Sequence, residues 1–255
     1  MNKANEVIEA LRSKSDEKQR RILMKFFKTG KGEYGEGDKF LGLKMPQVRS
    51  VAAECNEMGL DEIYRLLQSE WHDARLCGLL VLVARFGKLC SKRLIDNEEA
   101  MKERDKIVEF YIANAERANN WDLVDLSAPK LLGYWLLLPS CYSEQEKIEA
   151  VDNLANSGNL WKERISMVCT WGALQKGNPS FTLRYAERHL MHHHDLMHKA
   201  VGWMLREMGK RVSMELLRSF LAKHAAEMPR TALRYAIEKM NEDERKQWLN
   251  VKKKL

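Results

Sequence analysis

Apolar residues recur at spacings of three and four along almost the whole chain of 255 residues. Leu76, Leu79, Leu80 and Val83 show this spacing, and the segment from Met167 to Leu174 repeats it. An α-helix turns once every 3.6 residues, so such spacing is typical of amphipathic helices. The chain shows no convincing alternation of the kind that β-strands require. The pattern therefore predicts an all-α protein.

Several helical segments share one arrangement, in which a polar turn is followed by a charged residue and then by an apolar stripe. They are "WHDARLCGLLVLVARF" from Trp71, "WDLVDLSAPKLLGYWL" from Trp121, "WKERISMVCTWGALQ" from Trp161, "LMHKAVGWMLREMGK" from Leu196 and "MPRTALRYAIEKM" from Met228. The charged positions are Arg75, Asp125, Arg164, Lys199 and Arg230, at steps of 50, 39, 35 and 31 residues. These steps bracket the period of HEAT-like helix pairs, which stack into a curved solenoid. We expect one HEAT-like domain over 1–255, the alternative being an unrelated helical fold whose amphipathic helices merely look alike.

Four of these five positions are basic, and in a solenoid they would form a row along the concave face. The row is widened by Arg206, Lys210, Arg211 and Arg234. Such a stripe suits binding to a phosphate backbone. The alternative is that these cations simply lie on solvent-exposed helix faces and bind nothing. The formal net charge of +7 also favours a polyanionic partner. The basic tail "VKKKL" is predicted to be a solvated chain end.

Other features of the sequence exclude several classes of protein. No apolar run approaches the ~20 residues of a membrane span, and the N-terminus lacks the apolar core of a signal peptide. The five cysteines are scattered and include no C-x-x-C pair, which favours reduced thiols over disulfides or a zinc site. We therefore expect an intracellular, cytoplasmic protein.

Asp125 takes a position that cations hold in the other segments. Trp121 lies four residues before it on the same helical face, and Trp203 lies four residues after Lys199. A carboxylate repels phosphates, so Asp125 either performs chemistry or forms a structural salt bridge to a neighbour such as Arg164.

A carboxylate between two indoles suits the cleavage of an N-glycosidic bond. It can stabilise an oxocarbenium-like sugar and orient or deprotonate water, while indole faces stabilise cations and stack on sugars and bases. A base made cationic by alkylation needs no general acid to leave. Asp122 falls on a different face and is predicted to lie at the helix start near Asn120.

Four motifs in this order resemble the AlkD-like DNA alkylation repair enzymes, which are HEAT-like alkylpurine DNA glycosylases. They are the segment "GKGEYGEGDKFLGLKMPQVR" (30–49), "WDLVD" with Trp121 and Asp125, "WKER" with Trp161 and Arg164, and "KAVGWMLRE" from Lys199 to Glu207. The resemblance covers nearly the whole chain. The Gly-rich loop at 29–37 departs from the family's pattern, and we expect it to be an interhelical loop.

The resemblance implies a role for each of four residues. Asp125 would stabilise the sugar cation and position the water, and Trp121 and Trp203 would pack against the sugar of the damaged nucleotide. Arg164 would hold a backbone phosphate and help to orient Asp125. The implied substrates are cationic purines such as 3-methyladenine and 7-methylguanine in duplex DNA, excised without base flipping, without a cofactor and with an abasic site as product.

Two other functions stay open at this point. One is a non-catalytic HEAT-like protein that binds bent, branched or damaged DNA, and the other is a helical scaffold for protein interactions. We expect the protein to be a monomer.

The stretch from His189 to His198 is rich in histidine. His194 and His198 stand at a spacing that a metal could use, but the H-E-x-x-H arrangement is absent. We expect a polar helix entrance near phosphate and no metal.

Overall fold

The structure is a computed structural model that describes residues 1–55 and 57–251. Within these ranges it contains sixteen α-helices: α1 (Ala4–Arg12), α2 (Glu17–Phe26), α3 (Met45–Ala53), α4 (Leu60–Leu67), α5 (His72–Leu89), α6 (Glu98–Ala113), α7 (Trp121–Ser127), α8 (Leu132–Trp135), α9 (Glu144–Ala155), α10 (Leu160–Val168), α11 (Thr170–Leu174), α12 (Ser180–Arg188), α13 (Asp195–Arg211), α14 (Met214–His224), α15 (Arg230–Ala236) and α16 (Glu242–Leu249). A 3₁₀ turn, Ala115–Arg117, precedes α7. Extended pairing in the described ranges is limited to one bridge between Lys39 and Trp71.

The all-α prediction, with helices packed in a helical-repeat arrangement, is therefore confirmed. The predicted concave basic groove stays a prediction. The end of the basic tail, 252–255, lies outside the described residues. No helix in the described part of the chain is both long enough and apolar enough to cross a bilayer.

Polar side chains at the helix starts explain where many helices begin. Seven of them accept a hydrogen bond from a backbone N–H of the first turn: Asp16, Asn97, Ser143, Asn159, His194, Ser213 and Asn241. Each such contact satisfies a donor that the helix itself leaves unpaired.

The described chain divides into two compact units. The first comprises Met1–Ser127 and Leu138–Cys141, and the second comprises residues 128–137 and 142–251. The expectation of one domain over 1–255 stays a prediction.

Helix α5 is the centre of the first unit. It packs against α1, α3, α4, α6 and α7. Its N-terminal half is buried all round, including the polar residues His72, Asp73 and Arg75. Buried charged groups require partners, so other segments of the chain must supply hydrogen bonds or opposite charges to these three residues.

Helix α13 is the corresponding centre of the second unit. It packs against α10, α11, α12, α14 and α15. Gly202 allows the close approach of α15, because a Cβ atom at this position would lie 2.4 Å from the carbonyl oxygen of Ala232 and 2.5 Å from Cβ of Tyr235. Gly202 directly precedes Trp203, so this packing also fixes the backbone that carries the indole.

The close contact at Gly202 gives a testable expectation for stability. We expect Gly202→Ala to lower the free energy of unfolding by about 1 to 3 kcal/mol, because the added methyl group overpacks the α13–α15 contact. Chemical denaturation with circular dichroism measures the change.

Gly87→Ala is the matched control, since Gly87 is an exposed helical glycine with no atom within 4 Å of an added Cβ. This variant should gain about 0.5 to 1 kcal/mol through its lower backbone entropy in the unfolded chain. Equal effects of the two substitutions would contradict the packing argument.

Candidate functional site

Helix α7 carries the Trp121–Asp125 pair in the first unit. The buried side chain of Asn120 accepts the backbone N–H of Trp121 at 2.9 Å, which fixes the start of the helix. The four-residue spacing puts Trp121 and Asp125 on one face of α7, and both are half-buried. The structure thus brings these two predicted residues together.

The indole of Trp121 is held in a cluster of aromatic rings. It stacks on Phe27 at 5.2 Å between ring centroids and meets Phe26 edge-on at 5.7 Å. Its Nε1 donates to the hydroxyl of Tyr34 at 3.3 Å. These contacts fix the plane of the ring and satisfy its polar atom.

Tyr34 comes from the Gly-rich segment, which is folded as successive turns. Glu33 N donates to the Gly30 carbonyl at 3.1 Å, and Asp38 N donates to the Gly35 carbonyl at 3.0 Å. A Cβ at Gly35 would lie 2.4 Å from the carbonyl oxygen of Phe27, so only glycine fits there. The expected interhelical loop is therefore a structured element that delivers Tyr34 to Trp121.

A buried charged cluster lies at the start of α7. The ring atom Nδ1 of His72 is 2.8 Å from Asp38 Oδ2, and Nε2 is 2.9 Å from Asp122 Oδ2. Arg75 donates to the other Asp38 oxygen at 2.5 Å and to the carbonyl of Ser69 at 3.0 Å. Asp38 and His72 have side chains only 2% exposed, and the side chain of Asp122 is 12% exposed. We call Asp38, His72 and Asp122 the His72 bridge.

The His72 bridge carries charge. Burial opposes a charged imidazole, but the carboxylates of Asp122 and Asp38 outweigh it and raise the pKa of His72 to about 9. Burial likewise opposes ionisation of Asp38, yet His72 and Arg75 hold the pKa of its carboxyl below the ordinary value. Only an imidazolium can donate to two carboxylates at once, so the geometry and the charge agree.

A second carboxylate ties the same chain segment to α5. Asp73 is 2% exposed and accepts the backbone N–H groups of Leu41 at 2.7 Å and Leu43 at 3.2 Å. Together with the pairing of Asp38, this contact anchors the stretch from 38 to 43 against the start of α5.

Arg75 is one of the predicted DNA contacts of the basic row. Its side chain is 3% exposed and paired with Asp38, and its contact with DNA stays a prediction. Repeat alignment placed it by register, and register does not reveal a buried acid supplied by a distant segment.

Arg164 is also buried, at 4%, within the second unit. Its Nη1 donates to the carbonyl oxygen of Leu196 at 2.6 Å, which links α10 to the first turn of α13. On α13, Lys199 pairs with Asp195 at 2.8 Å, and half-buried Trp203 follows one turn later. Lys199 and Trp203 therefore share a face of one helix, as their spacing predicts.

The other predicted DNA contacts differ in how they are paired. Arg206 contacts Glu207 and Glu238, and Arg211 lies 2.7 Å from Glu207 and 5.2 Å from the ring centroid of Trp171.

The remaining three lie nearer the solvent. Arg230 donates to the carbonyl of Leu249 at 2.6 Å. Lys210 and Arg234 are exposed and form no ion pair with any acid of the described chain. Within the predicted row, Lys210 and Arg234 are thus exposed cations without an acidic partner in the described chain.

Several ring nitrogens of the histidine-rich stretch form contacts within the protein. His192 lies 2.9 Å from Glu163, and His194 accepts the backbone N–H of Leu196 as the cap of α13. His189 lies 2.8 Å from Ser166 Oγ, and burial lowers its pKa to about 4. Among the described residues, no three His, Cys, Asp or Glu side chains are grouped so as to hold a metal ion.

Sequence reasoning did not identify His72 or Asp38. Asp38 lies 34 residues from His72 along the chain, and Asp122, the other partner of His72, lies 50 residues from it. The nearest hint was the polar pair His72 and Asp73 at the start of an otherwise apolar helix, where buried polar groups call for partners.

The raised pKa of His72 predicts a dependence of stability on pH. Between pH 6.5 and about 9 the folded protein holds a proton that the unfolded chain releases. The stabilisation is complete below pH 6.5 and is lost as the pH rises through 9, by up to about 1.4 kcal/mol per pH unit.

Denaturant unfolding of the wild type and of His72→Gln across this range measures the effect. The difference in unfolding free energy between them should shrink as the pH rises. A constant difference would contradict the charged bridge.

Three comparisons with known proteins bear on the family. A family model described as DNA alkylation repair enzyme matches residues 7–240. The fold is similar to a solved structure described as a predicted DNA alkylation repair enzyme from Enterococcus faecalis, with a TM-score of 0.62 and 12% identity over 89% of this chain and 97% of that chain. No curated protein matches the sequence. Since the family model spans most of the 255 residues, the chain belongs to the DNA alkylation repair enzyme family.

Proposed function

We propose that this protein is a monofunctional DNA glycosylase that hydrolyses the N-glycosidic bond of cationic alkylated purines in duplex DNA. The observation that carries the proposal is the Trp121–Asp125 face of α7, where a half-buried carboxylate stands one helical turn from a fixed indole. Membership of the DNA alkylation repair family supplies the class of substrate.

The chemistry assigned to Asp125 follows from the transition state. As the glycosidic bond lengthens, positive charge develops on the sugar, and a nearby carboxylate stabilises it. The same carboxylate orients a water molecule and accepts its proton as the water attacks the anomeric carbon. An alkylated purine already carries a positive charge, so it leaves as a neutral base without a general acid.

Trp121 supplies an ordered surface beside this carboxylate. Its indole is held by Phe27 and Tyr34, so little side-chain freedom is lost when a sugar packs against it. An indole face also attracts developing positive charge. With water as nucleophile, the product is an abasic site and the strand stays intact.

Trp203 and Arg164 keep the roles that the family resemblance implies, as proposals. Trp203 packs against the sugar of the damaged nucleotide, and Arg164 holds a backbone phosphate. The burial of Arg164 and its bond to Leu196 also give it a structural part in the second unit. Trp203→Ala with retained folding tests the proposal for the indole.

Asp125→Asn tests the central proposal. The substitution removes the charge and preserves the shape, so we expect the single-turnover rate of base release from methylated duplex DNA to fall roughly 100-fold or more. Affinity for the same DNA should not fall, because removal of a negative charge does not weaken contacts to phosphates. The measurements are chromatography of released 7-methylguanine and 3-methyladenine, and fluorescence anisotropy for binding.

Asp61→Asn is the matched control, since Asp61 is an exposed acid on α4. Full activity of Asp125→Asn would show that the assigned mechanism is wrong. Salt-sensitive DNA binding by the wild type without release of either base would instead favour the non-catalytic DNA-binding alternative.

Lys210 and Arg234 give a separate expectation for DNA binding. If each contacts a phosphate, its replacement by alanine lowers affinity for all duplex sequences and reduces the slope of log affinity against log salt by about 1. Lys102→Ala is a suitable comparison, because Lys102 pairs with Glu98 on α6 and is not part of the predicted row. Unchanged salt slopes for Lys210→Ala and Arg234→Ala would remove both residues from the interface.

A further inference from the structure

Helix α7 is too short to hold its own position. It has seven residues, and a helix of that length is unstable in water unless tertiary contacts hold it. The placement of Trp121 and Asp125 therefore depends on what fastens the first turn of α7 to the rest of the first unit.

The His72 bridge provides that fastening through Asp122. The imidazole lies between Asp122 on α7 and Asp38 on the segment that precedes α3, at 2.9 and 2.8 Å. The ring itself belongs to the first turn of α5. Three segments of the chain thus converge on one side chain, which is almost completely buried.

The same ring also supports Trp121 through the aromatic cluster. His72 stacks on Phe40 at 4.3 Å between centroids and lies 5.2 Å from Phe27. Phe27 in turn stacks on Trp121 at 5.2 Å. One imidazole therefore restrains the backbone of α7 on one side and the indole on the other.

We propose that His72 is a positioning residue for base excision, and that its bridge from Asp38 to Asp122 sets where Trp121 and Asp125 stand against the bound nucleotide. This inference rests on the proposed glycosylase function. His72 itself contacts no substrate in this assignment. It acts through Asp122 and through Phe27.

The charges that face His72 define the pH range over which the bridge holds. Asp38 and Asp122 face it from the other two segments, and Asp73 and Arg75 lie beside it on α5 itself. The pKa of His72 is about 9, so the imidazolium is complete at neutral pH and disappears above that value. Loss of the proton leaves the carboxylates of Asp38 and Asp122 with one donor fewer.

The first test measures single-turnover base release and DNA affinity in His72→Gln and Asp122→Asn. We expect the rate to fall about 10- to 100-fold in each, because misplaced catalytic groups lose orientation, with little change in affinity. His189→Gln is the matched control, since His189 is another buried histidine but bonds Ser166 in the second unit. Wild-type rates in folded His72→Gln would overturn the proposal.

The pH profile separates positioning from general destabilisation. Below its unfolding temperature, the wild-type rate, corrected for enzyme-free base loss, should decrease as the pH rises through about 9. His72→Gln should lack this decrease, because it has no proton to lose. The same decrease in both proteins would overturn the assignment of the charged bridge.

Hydrogen exchange provides a measurement that needs no catalysis. We expect amides of 121–127 to exchange faster in His72→Gln than in the wild type and to be unchanged in His189→Gln. If the wild type releases no base, the proposed function fails, and unchanged exchange in α7 would separately overturn the bridge. If His72→Gln does not fold, Asp122→Asn decides both measurements, since it keeps the imidazole and removes one carboxylate.

Discussion

An imidazolium held between two carboxylates is the interaction on which the placement of α7 in the first unit depends. Taking these charges out of water is costly, and only mutual pairing offsets that cost. His72 pairs with Asp38 and Asp122, and Arg75 forms an ion pair with the second oxygen of Asp38. Removal of one partner from such a pair typically costs about 3 to 5 kcal/mol, because the remaining charge stays buried. The start of α7 is therefore restrained more strongly than the length of the helix suggests.

The restraint matters because α7 carries groups of opposite character. An indole needs an apolar support, and the role proposed for Asp125 needs a fixed distance between its carboxylate and the sugar. Phe27 supports Trp121 from one side while Asp122 fixes the backbone from the other. A single turn of helix then relates Trp121 to Asp125. The contacts of Trp121 and Asp122 thus fix the helix that carries Asp125.

The sequence revealed features that depend on local spacing. The helices, the shared face of Trp121 and Asp125, and the polar start of α7 near Asn120 all follow from periodicity and capping. Pairs of residues that lie far apart in the chain cannot be predicted from local spacing. Asp38, which pairs with buried Arg75, lies 37 residues before it in the chain, and no spacing rule connects the two. The contact between Tyr34 and Trp121 could not be predicted either, since a Gly-rich segment indicates turns but not which side chain they place against another helix.

The predicted basic row is less uniform in its charge than the sequence suggests. Arg206 and Arg211 share Glu207, and Lys199 pairs with Asp195. Exposed ion pairs are worth about 1 kcal/mol or less, so a phosphate can replace such an acid at small cost. Arg206 is less exposed, at 19%, so its ion pairs are less screened by solvent. The number of basic residues in the predicted row therefore overstates how many of its cations lack an acidic partner.

The anchoring of residues 38 to 43 also bears on how the protein folds. Asp38 and Asp73 join chain positions that are 30 to 37 residues apart, and His72 and Asp122 join positions 50 apart. Closing loops of this length costs entropy before any contact compensates for it. Local helices such as α5 form from near neighbours, whereas the arrangement around α7 needs three distant segments to meet. We therefore expect this arrangement to form at a late stage of folding, after the helices that it joins.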